Sequence, residues 1–337
     1  VTADAALLLA CRRHPAAAEV SRGLDRAGVP VGAPVIVAAS GGVDSTALLA
    51  LAAGCAAHGR IAVTALHVDH GLRAESRAEG DAVAALASRL GLACLRRAPT
   101  IAPGAGLADR ARTARYAALA DAAREAGAGF VLTAHHADDQ LETIVLALAR
   151  GAGLHGLGGM PTRRALEPGI DLVRPCLRMP RADLRGACID LGLHWDEDPG
   201  NARVDTPRGR ARHLVLPAIE SIAPDAARRA ARTAELARLG DVLLAQHADA
   251  LGAEQGSVPR AALRGSPAAL AASVVHRMAG EAIDASGLWQ AADAAIDSST
   301  EPRRFPLTDG RTLVVDAHAV RVVPAQGSVP EPGRQRS

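Results

Sequence analysis

Lysine is missing from these 337 residues: all 38 basic side chains are arginine. A phosphate loop of the G-x-x-x-x-G-K-S/T type needs that lysine, so this way of holding a nucleotide is excluded. Aromatics are scarce as well, two Trp, one Tyr and two Phe. That argues against a platform on which single-stranded bases stack, so any RNA would be held through arginine and backbone contacts. Cysteines are few, and Cys11, Cys55, Cys94, Cys176 and Cys188 form no C-x-x-C pair. Their odd number and wide spacing argue against zinc ribbons and iron–sulfur motifs and point to reduced thiols in a cytoplasmic setting. No run of about 18 uncharged apolar residues occurs, so no spanning helix and no membrane partner is expected. The N-terminal AALLLAC could pass for a lipoprotein signal, but Asp4 precedes it and no basic segment does, so a soluble chain is expected. A net charge of +2 is too small to reveal a nucleic-acid partner by itself.

What is present is alternation. Residues 1–30 read as one or two helices punctuated by Pro15 and Pro30. Val35–Ala39 is an uncharged, partly β-branched run that suits a strand buried on both faces. Ser40-Gly41-Gly42-Val43-Asp44-Ser45 then turns the chain, and Thr46–Leu51 continues as a helix. Strands follow at 61–68, 92–96 and 129–133, with helices at 76–90, 107–126 and 137–150. This is the pattern of a doubly wound parallel α/β sheet, whose ligands sit beyond the carboxyl ends of the strands. From Pro224 the composition turns to a long Ala/Leu/Arg helical pattern, and 312–323 alternates like strands. The expected division is an α/β domain over 1–220, a smaller mainly helical domain over 221–325, and a Pro/Gly/Ser-rich disordered tail at 326–337.

Three motifs fall at expected strand ends. A strand, a glycine turn and a helix N-terminus in succession aim several N–H groups at one point, an anion site. HVDHGLR offers Asp69, His70 and Arg73. AHHADDQLET places His135, Asp139 and Glu142 at spacings of four and three, one face of a helix. Carboxylates at a helix start beside a triphosphate suit Mg²⁺ or a cationic amine. Zinc is disfavoured because the adjacent His135 and His136 point apart and no further ligands cluster with them.

SGGVDS resembles the pyrophosphate loop of the PP-loop ATP-pyrophosphatase superfamily. With DHGLR, ARTARY (Ala111–Tyr116), AHHADDQLET, RGAGLHGLGGM (Arg150–Met160), Arg174-Pro175, WDEDPGN (Trp195–Asn201) and TPRGRARHLVLP (Thr206–Pro217), residues 33–220 resemble the bacterial tRNA(Ile)-lysidine synthetase family. The resemblance implies an ATP-dependent ligase that adenylates C2 of the wobble cytidine in CAU-anticodon isoleucine tRNA, releasing pyrophosphate. L-lysine then displaces AMP, giving lysidine. It also implies that Ser40, Gly41, Gly42, Val43, Asp44 and Ser45 cradle ATP and that Asp44 faces Mg²⁺. Asp139 and Glu142 would bind Mg²⁺ or the lysine ammonium, and His135 would lie by the activated base. Arg208 and Arg212 would belong to the catalytic arginine stretch, beside Asp198 and Asn201, and Arg112 and Arg115 would contact phosphates or RNA, or else form an exposed arginine face of an Ala-rich helix. Replacing Asp139 or Glu142 is expected to cripple the reaction with little loss of stability.

Gly200 stands where the family usually has Ser, and Gly209 where it usually has Asn. Gly151–Met160 reads as a loop that shapes or covers the pocket, or as a plain connection. A homodimer is one assembly compatible with the sequence. A PP-loop tRNA thiolase and a non-catalytic adenine-nucleotide-binding module remain the alternative readings.

Overall fold

The computed structural model describes residues 3–69, 76–100, 104, 106–197 and 204–325. His70, Arg73, Asp198, Gly200, Asn201 and the expected tail at 326–337 therefore lie outside the described residues. The chain forms two compact units. The first comprises Val1–Leu146 and Gly159–Ala234, the second Ala147–Gly158 and Glu235–Ser337. The boundary read from sequence, 220, falls inside the first unit.

Taken in order, the chain begins with α1 (Ala5–Arg13), α2 (Pro15–Arg26), β1 (Ala33–Ala38), α3 (Val43–Ala56), β2 (Ile61–Val68), α4 (Ser76–Arg89), β3 (Ala93–Arg97), α5 (Leu107–Glu125), β4 (Phe130–Leu132) and α6 (Ala137–Ala149). The short α7 (Leu154–Leu157) belongs to the second unit, and the chain returns to the first through β5 (Arg163–Glu167), β6 (Ile170–Val173) and α8 (Arg181–Asp190). After that come α9 (Pro207–Arg210), a π-helical turn at Ala211–Val215, α10 (Leu216–Ile222) and α11 (Ala226–Ala250). The sheet order is β3-β2-β1-β4-β6-β5, parallel except for β5, which runs back along β6 as a hairpin.

Period-two alternation sorts β1 between two cores. Val35 and Val37 join α1–α4 and α8 on one face, while Ile36 meets Leu119, Ala122 and Ala123 of α5 on the other. α3 is buried along nearly its whole length, from Val43 to Cys55, which is why its sequence shows no polar stripe. The chain winds from β1 out to β3 and then crosses back to β4 on the far side of β1. The switch point, where such sheets bind their ligands, is thus between β1 and β4.

The second unit adds β7 (Ser257–Pro259), α12 (Arg260–Leu263), α13 (Ala268–Ala279), a 3₁₀ turn at Gly280–Ala282, α14 (Ala285–Ile296), β8 (Arg303–Pro306), β9 (Thr312–Val315) and β10 (Ala319–Val323). Its strands form an antiparallel sheet, β7-β10-β9-β8. Val275 of α13, Ala291 and Ala295 of α14, and Leu313 and Val320 of the sheet share its core. A helical character was expected here; β7 and β8, at three and four residues, are too short to register as alternation.

Candidate functional site

The loop after β1 is built to leave donors free. Gly41 takes φ +93°, a conformation costly for any residue with a Cβ. Ser45 Oγ donates to the Gly42 carbonyl oxygen (3.0 Å) and accepts from the Ser40 N–H (3.1 Å). Its own hydroxyl thereby holds the turn closed. Gly42 caps α3 with no side chain, and the first helical bond runs from Thr46 N–H to Gly42 O at 3.0 Å. The N–H groups of Val43, Asp44 and Ser45 therefore precede any intrahelical acceptor, at the positive end of a buried helix dipole.

These residues line a cleft of about 1360 Å³ together with the ends of β2 and β4 and parts of α6, α8 and the 212–227 stretch. That exceeds the roughly 300–1,000 Å³ of a single small-ligand site, so there is room for more than one substrate. His67, at the end of β2, donates from Nδ1 to the Ala39 carbonyl oxygen at 3.0 Å, and its Nε2 is buried with no partner among the described residues. Sequence reasoning passed over it inside an apolar strand.

The acidic motif resolves into two clusters. In the first, Asp139 and Glu142 of α6 face Arg208 and Arg212, which lie four apart on α9 and the π-helical turn. Each arginine straddles both acids. Arg208 donates Nε to Glu142 Oε2 (2.7 Å) and Nη2 to Asp139 Oδ1 (3.1 Å); Arg212 donates Nε to Glu142 Oε1 (2.5 Å) and Nη2 to Asp139 Oδ1 (3.4 Å). Glu142 is 1% exposed. Burial is the largest single influence on Arg212 and opposes its charge, but the bond to Glu142 together with the charges of Glu142, Asp139 and Asp44 leaves the guanidinium raised. Thr206 Oγ1 caps α9 by accepting from Gly209 N–H at 3.0 Å, so the glycine at 209 is used through its backbone.

The second cluster centres on His136. Its Nδ1 lies 3.5 Å from Asp138 Oδ2, and its Nε2 3.4 Å from Asp139 Oδ2 and 3.6 Å from Asp44 Oδ2. Burial, the largest influence, would favour neutral imidazole, but the nearby carboxylates of Asp138, Asp44 and Asp139 lift its pKa to about 10. His136 lies among three carboxylates, with its Nδ1 also 3.4 Å from the Asp139 N–H, and joins the glycine loop to α6. Asp138 also accepts from the Arg181 N–H at 2.7 Å, fastening the start of α8. Two adjacent histidines hid these roles: only the backbone tells which of them points inward.

His135 behaves in the opposite way. It lies in the turn before α6, not on the helix, and its Nδ1 is 3.0 Å from Thr133 Oγ1. Burial, reinforced by Arg174 and Arg115 and only partly offset by Asp139, pushes its pKa down to about 4. It is neutral at pH 7.

The three residues expected to share Mg²⁺ do not meet around one point. Among the described residues the one cluster of at least three His, Cys, Asp or Glu ligand atoms is His155, His276 and Glu281, in the second unit. Asp139 and Glu142 are taken up by arginine. Asp44 fits a cation by itself, since among the described residues its Oδ1 is buried with no hydrogen-bond donor and lies 3.5 Å from the Arg181 guanidinium. Mg²⁺ commonly takes one or two carboxylates plus substrate phosphates.

Arg112 and Arg115 turn out to form part of a cationic platform. With Arg164 they lie 5.0, 5.4 and 4.8 Å from the centre of the Tyr116 ring. Arg174, 3% exposed, belongs to the same cluster; burial, added to by Arg164 and Arg112, pushes it down to about 10. None of these four arginines is in an ion pair among the described residues. Gln140 makes a further link: its amide donates to Met160 O (3.0 Å) and accepts from Met160 N–H (2.7 Å). Gly159, at φ +57°, has no room there for a Cβ, which would sit 2.7 Å from Gln140 Oε1.

All five cysteines are free thiols. Burial pushes Cys11 and Cys55 up to about 11 and Cys188 to about 12, and raises Cys176 further. No helix of the described residues is long and apolar enough to cross a membrane.

Residues 19–219 match the PP-loop domain family. Over 234 residues the chain is 45% identical to the tRNA(Ile)-lysidine synthase of Methylobacterium nodulans, covering 69% of this chain and 68% of that protein. The Salinispora arenicola enzyme of the same name is 40% identical over 277 residues, 79% of this chain and 83% of that one. Among solved structures, the U34-tRNA thiolase NcsA from Methanococcus maripaludis shares the fold, with a TM-score of 0.55 and 16% identity over 66% of this chain and 78% of that chain.

Proposed function

Since the chain belongs to the tRNA(Ile)-lysidine synthase family of PP-loop, ATP-using enzymes, we propose that it converts the wobble cytidine of CAU-anticodon isoleucine tRNA to lysidine. In the first step cytidine O2 attacks the α-phosphorus of ATP; the O2–P bond forms and the bond to pyrophosphate breaks. In the second the ε-amine of L-lysine attacks C2, and O2 leaves with AMP. The observation that carries this reading is one cleft, at the sheet's switch point, that joins an anion-binding turn to a buried carboxylate–arginine cluster.

The N–H groups of residues 43–45 and the Ser40 hydroxyl meet the ATP phosphates and stabilise pyrophosphate as it departs. Asp44 Oδ1 would hold Mg²⁺, which would neutralise phosphate charge there. His136 fixes Asp44 relative to α6. Asp139 and Glu142 supply the negative charge that draws the lysine ammonium, with Arg208 and Arg212 as counter-ions in the meantime. Neutral His135 sits among them as an uncharged hydrogen-bonding group beside the reacting base. The cations around Tyr116 receive phosphate, from ATP or the tRNA backbone. The second unit is assigned to tRNA recognition, and the reduced, buried thiols suit the cytoplasm.

A thiolase reading finds no support in the cysteines: all five are free thiols with raised pKa values, and four of them are buried. The deciding experiment supplies labelled lysine, ATP and Mg²⁺ with unmodified CAU isoleucine tRNA. Stable incorporation with AMP and pyrophosphate released, and methionine tRNA untouched, is the expected result. Pyrophosphate release that depends on tRNA, without incorporation, would exclude lysine as the second substrate. Neither signal would leave only nucleotide binding.

A further inference from the structure

The second unit holds a constellation that the lysidine reaction does not use. His155 on α7, His276 near the end of α13 and Glu281 in the following 3₁₀ turn each offer a ligand atom, all within 4.8 Å of one another. The two imidazoles are 4.8 Å apart between ring centres, inclined at 45°. His155 Nδ1 lies 2.9 Å from Asp241 Oδ2 of α11. An ionised carboxylate only accepts, so Nδ1 carries the proton and Nε2 keeps its lone pair. A carboxylate behind an imidazole is the arrangement that orients histidine ligands on a metal.

α7 also needs an anchor. It is four residues long, buries none of them, and is flanked by Gly153 and Gly158. Its ties within this unit include the Asp241 bond, the His155–His276 ring contact and Arg238, which donates to the Gly158 carbonyl. We propose that His155, His276 and Glu281 bind a zinc ion that staples α7 to the end of α13, with Asp241 holding His155 in the ligating tautomer. Two imidazoles and a carboxylate, with a fourth position for water, suit tetrahedral Zn²⁺. Mg²⁺ takes oxygen ligands and is not expected there. His155 and Glu281 are exposed, so their side chains can close the remaining distance to bonds of about 2.0–2.2 Å.

The test uses the full chain stripped of metal by chelation, titrated with Co²⁺ in excess Mg²⁺ and then with Zn²⁺. Expected are one equivalent of Co²⁺ with the strong visible absorption of a four-coordinate site, and its displacement by Zn²⁺. His155→Gln and Glu281→Gln, both exposed and checked for fold by circular dichroism, should each lose this signal. Asp241→Asn should weaken binding by about 10–100-fold. Absence of the four-coordinate spectrum would overturn the proposal, as would equal binding by wild type and the His155 and Glu281 variants, which would put the metal on other histidines.

Discussion

Two arginines are almost equally buried, Arg260 at 1% and Arg174 at 3% exposed, yet their surroundings are opposite. Arg260 in the second unit donates to the carbonyls of Ala294 (2.7 Å), Ala295 (3.3 Å), Asp297 (3.1 Å), Asp316 (3.1 Å) and Ser299, and to Asp297 Oδ1 at 2.6 Å. It closes the C-terminus of α14, where carbonyls and dipole both favour a cation. Arg174 in the first unit donates Nη1 to Pro161 O at 2.7 Å, while its Nε is buried without a partner among the described residues and its neighbours include Arg164 and Arg112. A guanidinium fully satisfied by its own chain is a structural bolt. One left short, among like charges, is a place for an anion from outside. The orphaned Oδ1 of Asp44 is the same sign with the charge reversed.

The sharpest challenge to that contrast is Asp44→Ala. In that variant tRNA-dependent pyrophosphate release should fall by about 10²–10³-fold, the scale of losing one transition-state contact, with a smaller loss of stability, since Asp44 is one of three carboxylates beside His136. Arg260→Met should do the reverse, costing about 3–5 kcal/mol in chemical denaturation because the carbonyls it served are left unpaired, with little effect on the adenylation step.

Glu142→Gln lies between these extremes. The sequence suggested little loss of stability, but a 1% exposed acid between two arginines should cost about 2–3 kcal/mol as well as activity. The smaller figure reflects arginines that still reach water.

His136 gives a pH signature. Its folded pKa of about 10 lies above its ordinary 6.5, so its stabilisation is complete below pH 6.5 and is lost as pH rises through 10. The stability gap between wild type and His136→Asn should therefore shrink steadily from pH 6.5 to 10; a constant gap would break this account. The smallest change in stability is expected for Arg174→Leu, under about 1 kcal/mol, since apolar replacement of a buried charge is often neutral. Its effect should appear instead in tRNA affinity, with the salt slope reduced by about 1 if it meets a backbone phosphate.

The turn from β1 to α3 was legible because an apolar run, two glycines and a helix former follow without interruption. Asp139 and Glu142 were legible because a spacing of three on a helix is a geometric statement. The pairing of those acids with Arg208 and Arg212 was not, since partners 66 to 73 residues away meet only through the tertiary fold. The β5–β6 hairpin was hidden by Arg163, Arg164 and Asp171, which make an edge of the sheet look like a polar connection; Arg163 in fact binds Asp171 at 2.6 Å across it. Asp138 was counted merely as charge, though its work is to hold the backbone of a helix 43 residues on.

The cleft's cationic side chains include Arg115, Arg181, Arg185 and Arg212, in a sequence that holds no lysine. Guanidinium remains protonated throughout the physiological range and is a poor nucleophile. An adenylated cytidine held there, as the proposed reaction requires, would face guanidinium groups, and the lysine-type amine would come from the substrate. In the proposed reaction, no cationic side chain of the cleft would compete with lysine for the activated carbon.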